Sequence, residues 1–271
     1  MRRVTVIVPF AFGEEGLANR RAQLAEVRLD PELTFEFKPV RFGPSRFDSH
    51  HDFALADLAM LEAGLEAAEA GCDAICLDTV SDSGAAALRG LLDVPVVAPG
   101  KASYLTALML GARFSVITTW SGWEPLLQKG VRESGLEHAC ASIRSLGDAA
   151  PDVERLFAGK EEELFPLLAE LGRECVRDGA DVVCLGSTTM HQAHAHLARE
   201  LPVPVVNPGP LSYKLVETML ALGLRQSRTA HPRPGDPKIA ELHAMAAAAD
   251  AVARGSTAAP ATTTTKETHA R

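Results

Sequence analysis

The stretch GCDAICLDT, residues 71–79, returns 108 positions later as GADVVCLGS, residues 179–187. Four of the nine letters are identical: Gly, Asp, Cys and Leu. In both copies an apolar run follows the aspartate, and a hydroxyl residue closes the stretch, Thr79 in the first and Ser187 in the second. A short continuous apolar run between turn formers is the pattern of a strand buried on both faces, as in a parallel sheet.

The repetition extends outward. DVPVVAPGKASYL (93–105) matches PVPVVNPGPLSYK (202–214) at an offset of 109, and this places the two tyrosines of the chain, Tyr104 and Tyr213, at equivalent positions. FSVITT (114–119) follows VTVIVP (4–9) by 110. Segments such as DFALADLAMLEAGLEAAEAG separate the strands and carry helical periodicity. Strands alternating with helices imply βαβ units. Two copies are too few for a stacked array, so the pattern reads as a duplication.

The expected fold is therefore α/β, with two pseudo-symmetric lobes, each holding a mostly parallel sheet of about four strands flanked by helices. The clear strands are 4–10, 73–78, 94–99, 114–119, 181–186 and 203–208, with 34–40 and 140–146 weaker. The first lobe is expected to hold 1–98 plus 207–254, the second 99–206, with crossings near APGK and NPGP, where Pro-Gly marks a turn before each helix. A helix is expected over AELHAMAAAADAVA. Residues 255–271, poor in bulky apolar side chains and carrying a threonine run, read as a disordered tail.

Bulk properties narrow the function. The chain has 271 residues, 46% hydrophobic and 23% charged, ordinary values for a globular protein. A formal net charge of −8 without a basic patch argues against nucleic acid or an anionic membrane as partner. No apolar run is long enough to cross a bilayer. MRRVTVIVPF is too short and too β-branched for a leader and reads as a first buried strand, which makes a cytoplasmic protein the expectation. Five cysteines without regular spacing suit neither a disulfide framework nor a zinc site. No cofactor is expected. The expected partners are a small-molecule substrate and, for a homo-oligomer, further copies of the chain.

Ligands of parallel α/β sheets bind beyond the carboxyl ends of the strands, which is where Thr79 and Ser187 fall. The loops that follow, VSDSG and TTMHQ, lead into helices whose free N–H groups suit a carboxylate or an enolate oxygen. With two similar halves, the hydroxyl tips can face each other across a cleft. The cysteines inside the strands, Cys76 and Cys184, sit three residues before the tips. At about 3.3 Å per residue, their thiols fall roughly 10 Å back on the opposite face, as core residues.

Several residues near the tips carry possible chemistry. Asp82 is either a base bordering the cleft or an N-cap for the next helix. Asp78 ranks lower, because strand alternation turns it away from Thr79. His191, in STTMHQAHAH, is either a general base or a surface or capping residue. The nearby His194 and His196 invite a metal reading, but the spacing lacks an acidic helical partner and no metal is expected. Thr118 and Thr119 either donate to a substrate carboxylate or cap their strand. Trp120 and Trp123 are candidates for an apolar wall, opposite Phe10 and Phe12. Tyr104 and Tyr213 read as packing residues.

Taken in order and spacing, FGPSRFDSHHDFALA, GCDAICLDTVSDSG, GADVVCLGSTTM and LALGLRQSR resemble the hydantoin racemases of the aspartate/glutamate racemase superfamily, across most of residues 3–235. The resemblance implies two lobes with the active site between them, no cofactor, and a pair of cysteines on opposite faces of the substrate. Matched motif to motif, those cysteines fall on Thr79 and Ser187. It also places the loop bearing His50 and His51 near the site, with His51 a candidate substrate contact. The asparagine-rich first loop of the family is replaced here by VPFAF, residues 8–12. A thiol with a reference pKa of about 8.5 is readily made a thiolate, whereas an aliphatic hydroxyl needs another group to take its proton. The expectation is thus an enzyme acting at a carbon next to a carbonyl of a small carboxylate or cyclic imide, without the two-cysteine mechanism. Thr79 and Ser187 bind oxygen, Ser81, Thr118, Thr119 and Thr188 assist, and Asp82 or His191 is the base. Isomerase and lyase chemistry both remain open, as does a non-catalytic binding or sensor protein on the same scaffold.

Overall fold

The β-branched run at the N-terminus forms β1 (Arg2–Val8) in a computed structural model that describes residues 1–148 and 162–256. On one side β1 pairs in parallel with β2 (Leu33–Pro39), after α1 (Glu14–Arg21) and a 3-10 segment (Ala22–Glu26). On the other it pairs with β3 (Ala74–Leu77), reached through α2 (His50–Glu69), in a register running from Val4 opposite Ala74 to Ile7 opposite Leu77. Ser49 starts α2 by accepting the Asp52 N–H. α3 (Ala85–Leu91) leads to the short β4 (Val96–Val97), and the sheet order is β2-β1-β3-β4.

The second half repeats this. After α4 (Pro99–Leu110) come β5 (Phe114–Thr118), α5 (Glu124–Glu133), β6 (Cys140–Ser145), α6 (Phe165–Arg177), β7 (Val182–Leu185), α7 (His194–Glu200) and β8 (Val205–Val206). The order β6-β5-β7-β8 is the first sheet over again, every pair parallel. α8 (Pro208–Leu222) and α9 (Ile239–Ser256) complete the chain as described. β2 and β6 each lie at one edge of their sheet, with β4 and β8 at the other; β2 and β6 are the half-buried pair. Their half-buried side chains account for the weak apolar signal of 34–40 and 140–146 in the sequence. The tail expected from 255 lies, from 257 onward, outside the described residues, and 255–256 close α9.

The lobes exchange helices. α4 follows β4 of the first sheet but packs on β7 and β5 of the second, and α8 follows β8 but packs on β3 and β4 of the first. The two helices also pack on each other. The cysteines of the repeated motif lie at this junction. Cys76 Sγ donates to the Ser212 carbonyl of α8 at 3.7 Å, and Cys184 Sγ to the Ser103 carbonyl of α4 at 3.9 Å. Both cysteines are fully buried. Tyr104 stacks on Phe114 with ring centroids 5.1 Å apart, while Tyr213 meets Phe35 edge to face at 5.5 Å. Each sheet is covered on both faces. In the first lobe, α2 and α3 bury Ile7, Ile75 and Leu77 on one face, and α8 buries Val4, Val6 and Cys76 on the other.

The junction leaves no room at Gly100, in the first turn of α4. A Cβ there would lie 2.3 Å from the Val80 carbonyl oxygen and 2.9 Å from Asp82 Oδ1. Since the nearer atom is backbone, relief requires moving the loop after β3. Gly100→Ala is expected to destabilise the fold by about 1–3 kcal/mol, as overpacking does, and urea unfolding checks it.

Candidate active site

The cavity between the lobes forms where strand ends of both sheets converge. Val8, Pro9 and Phe10 come from the end of β1, Asp78, Thr79 and Val80 from the end of β3, and Gly186, Ser187, Thr188 and Thr189 from the end of β7. Phe12, Phe47, Trp123 and Leu126 supply apolar wall, Arg20 reaches in from α1, and Ser45 and Arg46 lie in the loop before α2. The cavity measures about 60 Å³, the scale of a small organic molecule. Phe10 stacks on Phe12 at 5.3 Å and meets Phe47 edge to face at 5.4 Å, so the aromatic wall is braced by its own ring contacts.

The two hydroxyl tips are built alike. Thr79 Oγ1 lies 2.9 Å from Ser81 Oγ and accepts the Ser81 N–H at 3.4 Å. Ser187 Oγ lies 2.7 Å from Thr189 Oγ1 and accepts the Thr189 N–H at 3.1 Å, capping a 3-10 segment (Thr188–Ala193). Each is a local hydroxyl turn at a strand end. Ser81 is buried behind Thr79 and donates to Ser83 Oγ at 2.9 Å, off the cavity wall.

Asp78 is on the wall, contrary to the alternation argument, because β3 ends at Leu77 and the chain turns there. Its carboxylate accepts from Arg20 Nε at 2.6 Å, Arg20 Nη2 at 2.8 Å and Gln23 Nε2 at 3.3 Å. Thr188 also lines the cavity, with its hydroxyl taken up by Arg20 and by the Asp78 carbonyl.

The two proposed bases are placed elsewhere. Asp82 caps α4, accepting from Gly100 N at 2.7 Å and Lys101 N at 2.8 Å, with a left-handed φ of 54°. This is the capping alternative, applied to a helix distant in sequence. His191 is buried with Nδ1 paired to Glu26, and Asn207 Nδ2 donates to the other Glu26 oxygen at 2.8 Å. Neither residue lines the cavity.

The three neighbouring histidines diverge: His194 Nε2 bonds the Val205 carbonyl at 3.2 Å, and His196 packs on Phe165. Among the described residues, one His–carboxylate group does sit at ligand spacing: Glu62, Glu66 and His243, on α2 and α9. Arg41 and Lys38 already pair with its carboxylates.

Thr118 ends β5 and Thr119 follows it; both are buried, and neither hydroxyl has a partner among the described residues. They are not on the wall, although Gly186, the residue after β7 and thus beside Thr118 in the sheet, is. Trp120 is turned out of the cavity, its Nε1 donating to the Asp148 carbonyl at 3.2 Å, while Trp123 lines it with a buried Nε1 that has no partner among the described residues. His51 and His50 are exposed on the first turn of α2, away from the wall. None of the five cysteines lines the cavity. Burial pushes the Cys76 and Cys184 thiols far above the usual range.

Sequence reasoning missed Arg20, Arg46, Phe47 and Leu126. Arg20 had one available signal, a position on the polar helix directly after the first strand, and nothing in that pattern says which arginine turns inward.

The profile described as Asp/Glu/Hydantoin racemase matches residues 17–216. The chain belongs to the Asp/Glu/hydantoin racemase family. It is an enzyme of that superfamily, as the racemases and isomerases it resembles are. A hydantoin racemase from a Pseudomonas species is 30% identical over 189 residues, which span 69% of this chain and 74% of that relative. The structure of allantoin racemase from Klebsiella pneumoniae superposes with a TM-score of 0.74 at 26% identity, covering 87% of this chain and 94% of that one. Maleate isomerase from Pseudomonas putida shares the fold at 18% identity, with a TM-score of 0.60 and coverage of 82% and 93%. In this racemase-family chain, no helix of the described residues is long and apolar enough to cross a membrane.

Asp82 gives the site region a pH signature. Desolvation pushes its carboxyl up to about 6, against the backbone N–H bonds from Lys101 and Gly100 that pull it down. An acid whose pKa is raised by folding binds its proton more tightly in the native state, so its contribution is full below the unfolded value near 3.8 and is lost as pH rises through 6. Asp82→Asn should therefore gain on wild type between pH 4 and pH 7, by at most about 3 kcal/mol. Urea unfolding at the two pH values measures this, and a difference that does not change with pH is the contrary result.

Proposed function

We propose that the chain is a cofactor-independent enzyme acting at a carbon next to a carbonyl of a small carboxylate or cyclic imide, without a thiol proton shuttle. The observation that carries this reading is the pair of hydroxyl tips, Thr79 and Ser187, one from each sheet, on the wall of one cavity that no cysteine lines. A hydroxyl whose oxygen is fixed by a backbone N–H can turn its proton to an oxyanion that develops during reaction, and Thr79, which donates to Ser81 because Ser81 donates to Ser83, would exchange that bond for one to the oxyanion. The aromatic wall of Phe10, Phe12, Phe47 and Trp123 suits an apolar substituent on the same carbon.

Proton transfer by two opposed bases is poorly supported. The titratable groups on the wall are Arg20, Arg46 and Asp78. Both Asp78 oxygens already accept from Arg20, and one also from Gln23, so the carboxylate has little capacity left for a substrate proton. This favours an enolate formed by loss of carbon dioxide, the C–C electron pair staying on the reacting carbon, which then takes its proton from solvent water, over epimerisation by matched bases. Thr79 and Ser187 would hold the enolate oxygens, with Ser81 and Thr189 fixing their orientation.

Purified protein incubated in D₂O with 5-substituted hydantoins and with substituted malonates separates the alternatives. Carbon dioxide release, with deuterium delivered to the product, is expected from malonates. Thr79→Ala and Ser187→Ala should each lower kcat/KM about 10²-fold, the usual cost of an oxyanion donor. The double change Thr79→Cys with Ser187→Cys should create hydantoin racemisation that wild type lacks. Fast wild-type deuterium exchange at the hydantoin α-carbon, unaffected by either alanine, would refute the assignment. Ligand stabilisation without any turnover would instead support a binding protein.

A further inference from the structure

Arg20 approaches the cavity from α1, a helix outside both repeated motifs. Its Nε and Nη2 donate to the two Asp78 oxygens at 2.6 and 2.8 Å, and Nη2 donates also to Thr188 Oγ1 at 2.6 Å. Thr188 Oγ1 in turn donates to the Asp78 carbonyl oxygen at 3.0 Å. The side chains of Arg20 and Asp78 are 5% and 1% exposed. Asp78 precedes Thr79, and Thr188 follows Ser187. One guanidinium thus holds the neighbour of each hydroxyl tip, one from each lobe.

Stability alone gives little reason for this arrangement. Two charges withdrawn from water regain by attraction about what they lose, and apolar side chains of similar volume would pack the same space at least as well. What the fork of an arginine adds is direction, since a planar bidentate pair sets both distance and angle. The Thr188 hydroxyl, accepting from Arg20 and donating to Asp78, has its place in the wall set by this network and not by a substrate.

We propose that Arg20 is a positioning residue, clamping Asp78 to Thr188 across the lobe boundary and so fixing the separation of Thr79 and Ser187. The kinetic consequence rests on the reading that the two hydroxyls act on one substrate. The geometric consequence does not.

Amide hydrogen exchange of the full chain tests the geometry without any substrate. Thr188→Val keeps the shape of the side chain and removes both of its bonds. Although Thr188 lies in the second lobe, this change should speed exchange of the segment 78–82 in the first lobe by about threefold or more, because a local restraint is lost there. Arg20→Lys should speed exchange in both 78–82 and 186–190. If Thr188→Val leaves 78–82 at the wild-type rate in a folded protein, the clamp does not exist. Kinetics then test the consequence. Arg20→Lys is expected to lower kcat about 10²-fold with little change in KM, as misplacement of reacting groups does. Altered exchange with unchanged kcat overturns the kinetic half and leaves the clamp standing. Unchanged exchange overturns both, whatever the substrate proves to be.

Discussion

The exchange of α4 and α8 between the lobes is the constraint on which the rest of the structure depends. Each helix begins at a Pro-Gly pair just after the last strand of one sheet and packs against the other sheet. The lobes are therefore not independent units joined by a linker, since removing either helix uncovers the sheet of the opposite half. The same exchange sets where the strand ends of the two sheets converge, and so where a cavity can exist. Residues that look catalytic when read one at a time turn out to serve this junction. Asp82 spends its carboxylate on the N-terminus of α4, and Cys76 and Cys184 bury their thiols against the carbonyls of α8 and α4.

Polar groups at the centre of such a junction must find partners or cost free energy. The cavity floor largely meets this condition by combining charge with hydroxyls, although Gln23 Oε1 has no partner among the described residues. Arg20 and Asp78 satisfy each other, Gln23 adds a donor, and Thr188 closes the ring. The wall above is aromatic and aliphatic, so the local dielectric is low and each remaining dipole acts strongly. In that setting Thr79 and Ser187 need not be good bases to matter. Their value lies in being fixed, each held by the backbone N–H two residues on.

The duplication was legible because it is written in adjacent letters. All eight strands, the sheet count and the two motif endings follow from short-range patterns, and β2 and β6 were weak because their side chains are only half buried. Side-chain direction past a strand end was not legible. Alternation placed Asp78 away from Thr79, but alternation stops with the strand at Leu77, and both residues reach the cavity. His191 and Asp82 had suitable chemistry for a base, yet their partners, Glu26 and the first turn of α4, are brought to them only by the fold. Nothing local to Arg20 or Phe47 says that either turns into the cavity. Their role comes from contacts with residues 58 and 37 positions away, Asp78 and Phe10 respectively.

The two halves also differ in an informative way. If the duplication were functionally symmetric, the end of β5 would line the cavity as the end of β1 does. It does not: Val8, Pro9 and Phe10 are on the wall, whereas Thr118, Thr119 and Trp120 are not, and the second lobe contributes Trp123 and Leu126 from the start of α5 instead. The hydroxyl tips retain the symmetry and the walls break it. If Thr79 and Ser187 flank one reacting carbon as proposed, the single braced aromatic wall of Phe10, Phe12 and Phe47 gives a substrate a preferred way to lie between them. On the proposed reading of cleavage followed by protonation, that orientation would decide which face of the carbon takes the proton.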